Sequence, residues 1–427
     1  MNALLLFGTF LFLLALSLPV SVSMGLAVMV TILVFQEVPM VFLVQGFIDA
    51  VSPFPILAIP LYIFAGMIMA NGGIAKDIVR FAKLFIGGTR GGLLNVAILA
   101  CAIFAAISGS STATTVAIGS LLMKELTEAG YSRAYSSAVV AAGGTLGPVI
   151  PPSICFLVFG SMTGVSVVSL FIAGAVPGLL MAAALILTNY IICIRSGIRE
   201  EGNRGSIKEL VQAVWKAKWA LMAPLLILGG IYGGIFTPTE AGGIAAAYGI
   251  FVGMAVYKEI DLPKLRETFV KAMLLSAAIL SIVGVSGAFG RIITIEQIPQ
   301  TIAAMLMAVA SSKWSILLLI NIILLIAGCL IEGTAIVLIL TPILFPIARS
   351  IGIDPIHFGV ILCINLSIGA ITPPLGVCLF ASSAVGGEPI QRIVKAIVPL
   401  LIALLLVLAL VTYIPQISLW LPQLMAK

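Results

Sequence analysis

Apolar runs of roughly 20 residues follow one another along almost the whole chain, and each is long enough to cross a bilayer as a helix. Polar residues are confined to short stretches between these runs. Two of the apolar segments carry an unusual interruption. One holds Gly147-Pro148-Val149-Ile150-Pro151-Pro152, the other Gly369-Ala370-Ile371-Thr372-Pro373-Pro374. Proline lacks an N–H and glycine weakens a helix, so each segment is predicted to unwind. The glycines and the Pro-Pro pairs keep one offset, 222 positions. Unwound backbone inside a bilayer is tolerated only where protein buries it or it lines a cavity. Matching interruptions in two halves of a membrane chain mark a transporter's binding site.

The basic residues orient these segments. Ile194 to Lys218 holds Arg195, Arg199, Arg204, Lys208, Lys216 and Lys218, and Lys258 to Lys271 holds four more. Both stretches are expected in the cytoplasm by the positive-inside rule. The stretches 76–90 and 124–133 fall on the same side, while Gln36 to Pro53 carries Glu37 and Asp49, no basic residue, and should face outward. The run 91–123 then has inside loops at both ends. It must enter and return, with a tip near Ser108-Gly109-Ser110-Ser111-Thr112. The run 314–347 is flanked by outside segments and should form a second hairpin from the opposite face, with its tip near Gly328 to Thr334. The offset recurs in Thr112-Ala113 with Thr334-Ala335, Gly130 with Gly352, and Val176-Pro177 with Val398-Pro399.

The fold predicted is an all-α polytopic membrane protein with two inverted repeats, each with a re-entrant helical hairpin and a broken transmembrane helix. Its divisions are membrane helices over 1–54 and a first repeat over 55–194, with a broken helix at 134–163. A cytoplasmic linker follows at 195–218, then two helices over 219–257. The second repeat covers 272–424, with a broken helix at 356–385. Ile207 to Lys218 and 76–86 are expected to lie as amphipathic helices at the membrane surface, the latter with Ile78, Phe81, Leu84 and Phe85 on one face.

Composition agrees: 61% of residues are hydrophobic, 9% are charged, and mean hydropathy is +1.26. The formal charge of +6 comes from short loops and reads as topology, not as affinity for nucleic acid. The six cysteines sit in apolar runs without metal-ligand spacing and read as buried free thiols. The chain has no Walker-type loop, no His-Glu-x-x-His, no Gly-x-Ser-x-Gly and one histidine, His357, so neither nucleotide binding nor an enzyme is expected. Glu240 in Thr237-Pro238-Thr239-Glu240 reads as a helix cap. Arg291 and Glu296 read as snorkelling charges.

The tips and breaks carry the candidate chemistry. Helices beginning near Ser111 and Thr334 aim unpaired N–H groups and positive dipole ends at the tips, which suits an anion. The substrate-contacting candidates are Ser110, Ser111, Thr112 and Thr114 at the first tip, and Glu332, Gly333 and Thr334 at the second. Carbonyls freed near Gly147–Pro151 and Gly369–Pro373, with nearby hydroxyls, can coordinate a hard cation such as Na⁺. Glu332 is a carboxylate at a predicted hairpin tip, and intramembrane carboxylates are costly and usually functional.

The chain resembles the large membrane subunit of tripartite ATP-independent periplasmic (TRAP) transporters. The matching stretches are Ile107-Ser108-Gly109-Ser110-Ser111, Gly144-Thr145-Leu146-Gly147 with Ile150-Pro151-Pro152-Ser153, and Pro177-Gly178-Leu179-Leu180. Further on come Phe236-Thr237-Pro238-Thr239-Glu240-Ala241, Gly352-Ile353-Asp354-Pro355 with His357-Phe358-Gly359, and Ile371-Thr372-Pro373-Pro374-Leu375-Gly376. They span most of the chain. The resemblance implies a sodium-driven secondary transporter in the bacterial inner membrane. It implies work with a small membrane subunit of about four helices and a periplasmic substrate-binding protein. It also implies an elevator mechanism, with a transport domain moving against a scaffold, and one sodium site at each hairpin–broken-helix junction. For the second half that suggests Gly328, Gly369, Thr372 and Leu375, with Glu332 beside them. Stepping back 222 positions gives Ala106, Gly147, Ile150 and Ser153 for the first, with Ser108 and Ser110 adding oxygens. Some sialic acid members carry an Asp where this chain has Thr114, and Ser110-Ser111-x-Ala113-Thr114 is more similar to dicarboxylate-type members. The expected substrate is a carboxylate: a C4-dicarboxylate, sialic acid or a related organic acid. A stand-alone sodium–carboxylate symporter, needing no binding protein, is the alternative.

Overall fold

The computed structural model describes residues 2–35, 39–195, 214–309 and 312–425. Helices α1 (Asn2–Ala15), α2 (Val20–Phe35), α3 (Val41–Val51), α4 (Ala58–Asn71) and α5 (Ile74–Ile86) lead up to the first hairpin. In the first half follow that hairpin of α6 (Gly92–Ser108) and α7 (Ser111–Glu128), a broken helix of α8 (Arg133–Gly144) and α9 (Ile154–Thr163), and the long α10 (Val167–Arg195). Then come α11 (Lys218–Tyr232), α12 (Pro238–Phe251), α13 (Leu262–Ile295) and α14 (Ile298–Val309). The second repeat repeats the plan: hairpin α15 (Lys313–Gly328) and α16 (Gly333–Ser350), broken helix α17 (Pro355–Gly369) and α18 (Val377–Gly386), and α19 (Ile390–Tyr413), followed by α20 (Gln416–Met425). Both predicted hairpins and both breaks are present. Most of the predicted linker, including the surface helix from Ile207, lies outside the described residues, as does Glu37.

The caps show why the elements stop and start where they do. Ser110 opens α7 and Glu332 opens α16, and these caps lie 222 positions apart. Ser132 opens α8 and Asp354 opens α17 at the same offset. Each side-chain oxygen takes up N–H groups left unpaired in a first helical turn. Gly130 and Gly352, just before those second caps, have φ of 88° and 75°, a region where glycine carries no Cβ penalty. Thr237 and Glu240 form the predicted capping box at the start of α12.

The two repeats interlock. The second half of the first broken helix, α9, packs on α16 and α17 of the other repeat. The second half of the second broken helix, α18, packs on α7 and α8. Each hairpin is therefore flanked by helix from the opposite half. Outside this core, α13 packs along α3, α4 and α2 on one side and touches α16 on the other. Gly46 of α3 lies under Ala288 of α13, and a Cβ on Gly46 would meet Ala288 Cα at 2.7 Å. Small residues at helix contacts let backbones approach closely, the usual source of helix association in lipid.

Helix α5 departs from its predicted face. Ile74, Ala75, Ile78, Val79 and Ala82 are buried, whereas Leu84 and Phe85 are exposed. The helix is pinned by polar contacts that single-helix periodicity does not reveal: Lys76 with Glu259 at 2.8 Å, Lys83 with Glu125, and the Tyr257 hydroxyl donating to Asp77 at 2.6 Å. Burial and the neighbouring Asp77 carboxylate both push the Tyr257 phenol pKa up, so it stays protonated as a donor. Arg291 does not snorkel alone. It pairs with Asp49 and lies over the Phe42 ring, 5.3 Å from its centroid. Five of the six cysteines are buried, Cys329 is half-buried, and all are free thiols.

Candidate functional site

Two hairpin tips and two helix breaks meet in the interlocked core. In the first half the chain reverses over Gly109 and Ser110 only. Gly109 has φ of 61°, and a Cβ there would lie 2.6 Å from the Pro152 carbonyl. The Gly109 carbonyl accepts the Ile154 N–H at 3.5 Å, tying the tip to the break. In the second half the Cys329 carbonyl accepts the Leu375 N–H at 3.2 Å in the same way. The Pro151-Pro152 and Pro373-Pro374 bonds are both cis.

The first junction is a buried hydroxyl network. Thr114 Oγ1 donates to the Ser110 carbonyl at 2.8 Å and is 2.8 Å from Ser108 Oγ. A threonine hydroxyl has one proton, so Ser108 donates to Thr114. Ser110 Oγ accepts from the Ala113 N–H at 3.4 Å and lies 3.3 Å from Thr112 Oγ1. Thr115 donates to the Ser111 carbonyl at 2.9 Å. Gly147 packs on this tip so closely that a Cβ would meet the Ser110 carbonyl oxygen at 2.5 Å and the Ser111 nitrogen at 2.9 Å. Ser153 donates to the Pro148 carbonyl at 2.5 Å and caps α9 through Phe156 N–H at 3.3 Å. Ala106 and Ile150 are buried and bring only carbonyl oxygens. Pro151 and Pro152 have no N–H for the carbonyls four residues earlier, Gly147 and Pro148.

The second junction is built differently. Gly369 meets Gly328 backbone to backbone: a Cβ on Gly369 would lie 2.5 Å from Gly328 Cα. Thr372 is half-buried and donates to the Ile368 carbonyl at 2.8 Å. Leu375 is 46% exposed, so this break opens outward where the first is sealed. Glu332 is exposed. Its carboxylate accepts from the Thr334 N–H at 2.9 Å, the Ala335 N–H at 3.2 Å and the Thr334 hydroxyl at 3.0 Å. The dipole end expected at Thr334 to face a substrate anion thus already meets an anion of the chain. At the first tip the matching cap, Ser110, is neutral. Gly333 approaches Cys155 of α9, and α18, which carries Cys378, packs on α7, so both tips border one region.

The constant offset holds from each tip to its Pro-Pro pair and fails before the tip. The first tip has two residues between helices, the second has four (329–332). By helix ends, Gly328 answers to Ser108, not to Ala106. After the Pro-Pro pairs a further residue is inserted, so the cap Ser153 answers to Gly376, not to Leu375.

The donor set suits a hard monovalent cation. It consists of neutral carbonyl and hydroxyl oxygens, held where glycine backbones approach too closely for any side chain. Among the described residues no three His, Cys, Asp or Glu side chains converge. A substrate-sized cavity of about 700 Å³ lies elsewhere. It sits between α3 and α13 on one side and α9 and α16 on the other, lined by Asp49, Arg291, Thr163 and Pro342 among others. It contains none of the tip residues, and the chemistry of the tips is the better guide to the site.

The chain matches the family model described as "Tripartite ATP-independent periplasmic transporter, DctM component" over residues 7–417. It is similar to the C4-dicarboxylate TRAP transporter large permease protein DctM of Pseudomonas aeruginosa, 43% identical over 93% of both chains. It is also similar to the isethionate TRAP transporter permease protein DctMQ of Oleidesulfovibrio alaskensis, 41% identical over 97% of this chain; the chain spans 65% of that longer protein. Neither is named as an enzyme. Among solved structures, the YdaH transporter of Alcanivorax borkumensis, reported with an unusual topology, superposes with a TM-score of 0.63 at 16% identity, covering 88% of this chain and 87% of that one. That likeness concerns the fold alone. With its apolar helices, its paired hairpins and this match, the chain is an inner-membrane protein that belongs to the DctM component family of tripartite ATP-independent periplasmic transporters.

Proposed function

We propose that this chain is the large permease subunit of a sodium-driven importer of a small organic anion, working by an elevator motion. One observation carries the reading. Each half places a hairpin tip against an unwound, proline-broken helix; the oxygens gathered at the first are neutral, and at the second the Glu332 carboxylate stands beside them. Sodium binding at both junctions would supply charge that the protein does not. The residues that would hold it are Ser108, Ser110, Gly147 and Ser153 in the first half, and Gly328, Gly369, Thr372 and Leu375 in the second. The anion is assigned to the region between the tips, on the side of Ser110, Ser111 and Thr112. There the start of α7 carries no capping carboxylate, and its dipole end favours negative charge. The names of relatives, one for C4-dicarboxylates and one for a hydroxy-sulfonate, support an anionic substrate of a few carbons. A small membrane subunit and a periplasmic binding protein complete the transporter.

The test is uptake of radiolabelled succinate into proteoliposomes holding the complex purified from native membranes, with its binding protein outside. Uptake should need an inward sodium gradient and stop when choline replaces sodium. Sodium-independent uptake would sink the coupling. Uptake by this chain alone, with no donor protein, would favour the stand-alone symporter.

A further inference from the structure

The second junction is held by something the first lacks. Asn365 on α17 and Asn321 on α15 are both buried, and Asn365 Nδ2 donates to Asn321 Oδ1 at 2.7 Å and to the Ile361 carbonyl at 2.8 Å. Asn321 Nδ2 donates to Thr412 Oγ1 of α19 at 3.1 Å. Beyond Thr412 the polar contacts continue to His357 Nε2, 3.4 Å from the Thr412 carbonyl, and to Ser418, 2.7 Å from His357 Nδ1. Asn365 Oδ1 is buried without a partner. Burying amides among apolar helices is costly unless they are paired, and an unpaired acceptor adds to that cost. Leucine would fill the same space without it.

The matching positions of the first half make the contrast. Asn321 answers to Cys101 by the helix-end register, and Asn365 to Gly143 by the constant offset of 222. These two also touch, since a Cβ on Gly143 would lie 2.7 Å from Cys101 Sγ. There the contact is apolar, because the first tip is already sewn together by Ser108, Ser110 and Thr114. The second tip is two residues longer, and its break is exposed at Leu375. Its glycine contact has no side chains to lock it. Asn365 precedes Gly369 by one helical turn, and Asn321 precedes Gly328 by two. Two fixed points, the amide pair and the glycine pair, determine how α15 lies on α17.

We propose that the Asn365–Asn321–Thr412 chain is a clasp that sets the Gly328–Gly369 spacing and thereby the cation affinity of the second junction. This rests on the sodium reading above. The three are positioning residues: their side-chain bonds run to one another and to the Ile361 carbonyl, not to the residues proposed to hold the cation.

The experiment is thermal unfolding of the full-length protein in detergent, titrated with NaCl against choline chloride at constant ionic strength. Wild type should gain melting temperature with sodium. Asn365→Leu and the isosteric Thr412→Val should each raise the sodium midpoint at least fivefold, and Thr412→Ser should restore it. In a Thr372→Ala background the Thr412→Val effect should largely vanish, because both act on one site. Lower melting in choline and sodium alike with an unchanged midpoint would mean a packing role and overturn the clasp. So would a full Thr412→Val effect without Thr372. If wild type shows no sodium effect at all, the sodium reading and the clasp fall together.

Discussion

Ser110 and Glu332 stand at the same place in the two repeats and cap the same turn of the same hairpin helix, one with a hydroxyl and the other with a carboxylate. They share a structural place but not a charge: one is neutral, the other anionic. The first tip thus meets its helix dipole with a neutral cap, and the second meets it with a fixed negative charge.

Glu332→Gln separates these roles. The amide oxygen can still accept from the Thr334 or Ala335 N–H, so the cap is weakened, not lost, at a cost of about 1 kcal/mol or less. The charge beside the second junction disappears. Sodium affinity, read from the sodium dependence of uptake, should fall several-fold while the melting temperature in choline moves little. Equal sodium dependence would make Glu332 a cap alone.

Thr372→Ala removes a hydroxyl from the unwound segment. Thr372 uses its proton on the Ile368 carbonyl, which leaves its oxygen lone pairs available. The sodium concentration for half-maximal uptake should rise roughly tenfold, equivalent to about 1.4 kcal/mol, and Thr372→Ser should recover most of it. Wild-type sodium dependence in the alanine variant would take Thr372 out of the site.

Gly369→Ala should be far more damaging than its size suggests. The new methyl would lie 2.5 Å from the Cα and C atoms of Gly328, and backbone cannot swing aside as a side chain can. Overpacking of this kind costs about 1–3 kcal/mol, and uptake should be lost. Gly229→Ala is the control. That glycine lies within α11 with nothing within 4 Å, and alanine should stabilise by about 0.5–1 kcal/mol. Circular dichroism melts of both variants provide the comparison.

Thr114→Val tests the first tip. It deletes the acceptor for Ser108 and the donor to the Ser110 carbonyl, both buried, at a cost of about 1–3 kcal/mol. Thr114→Ser should keep both bonds and most of the activity. Equal melting of the valine and serine variants would show that the hydroxyl network contributes nothing.

The elevator motion can be tested where α13 passes α16. A Cβ on Gly290 would lie 3.5 Å from Pro342 Cβ, at the short end of the range a disulfide spans. Oxidising the Gly290→Cys/Pro342→Cys pair should abolish uptake, and dithiothreitol should return it. Continued turnover while crosslinked would argue for a fixed pore.

Much of this was legible in the sequence, because glycine and proline act on the backbone and need no partner to be read. They located both breaks, and loop charges located both hairpins. The interior register was not legible. Tip loops of two and four residues shift Gly328 onto Ser108, and no hydrophobic pattern reports loop length. Nor could periodicity show that Glu332 turns back onto its own helix, or that Arg291 finds Asp49 across 242 residues. Asn321 and Asn365 could have been found: an amide in an apolar helix is expensive enough to ask what it meets. The inner face of α5 could not, since its polar partners come from α7 and from the distant segment of Tyr257 and Glu259.

The crossed packing of α9 and α18 has a last consequence, for heredity more than for mechanics. A chain made of two like halves could in principle be cut between them and each piece inherited or exchanged on its own. Here each half completes its hairpin with a helix borrowed from its twin, so neither piece encloses a finished interior. A change at one tip is therefore judged by its fit to the other, and the two halves stand or fall as one unit.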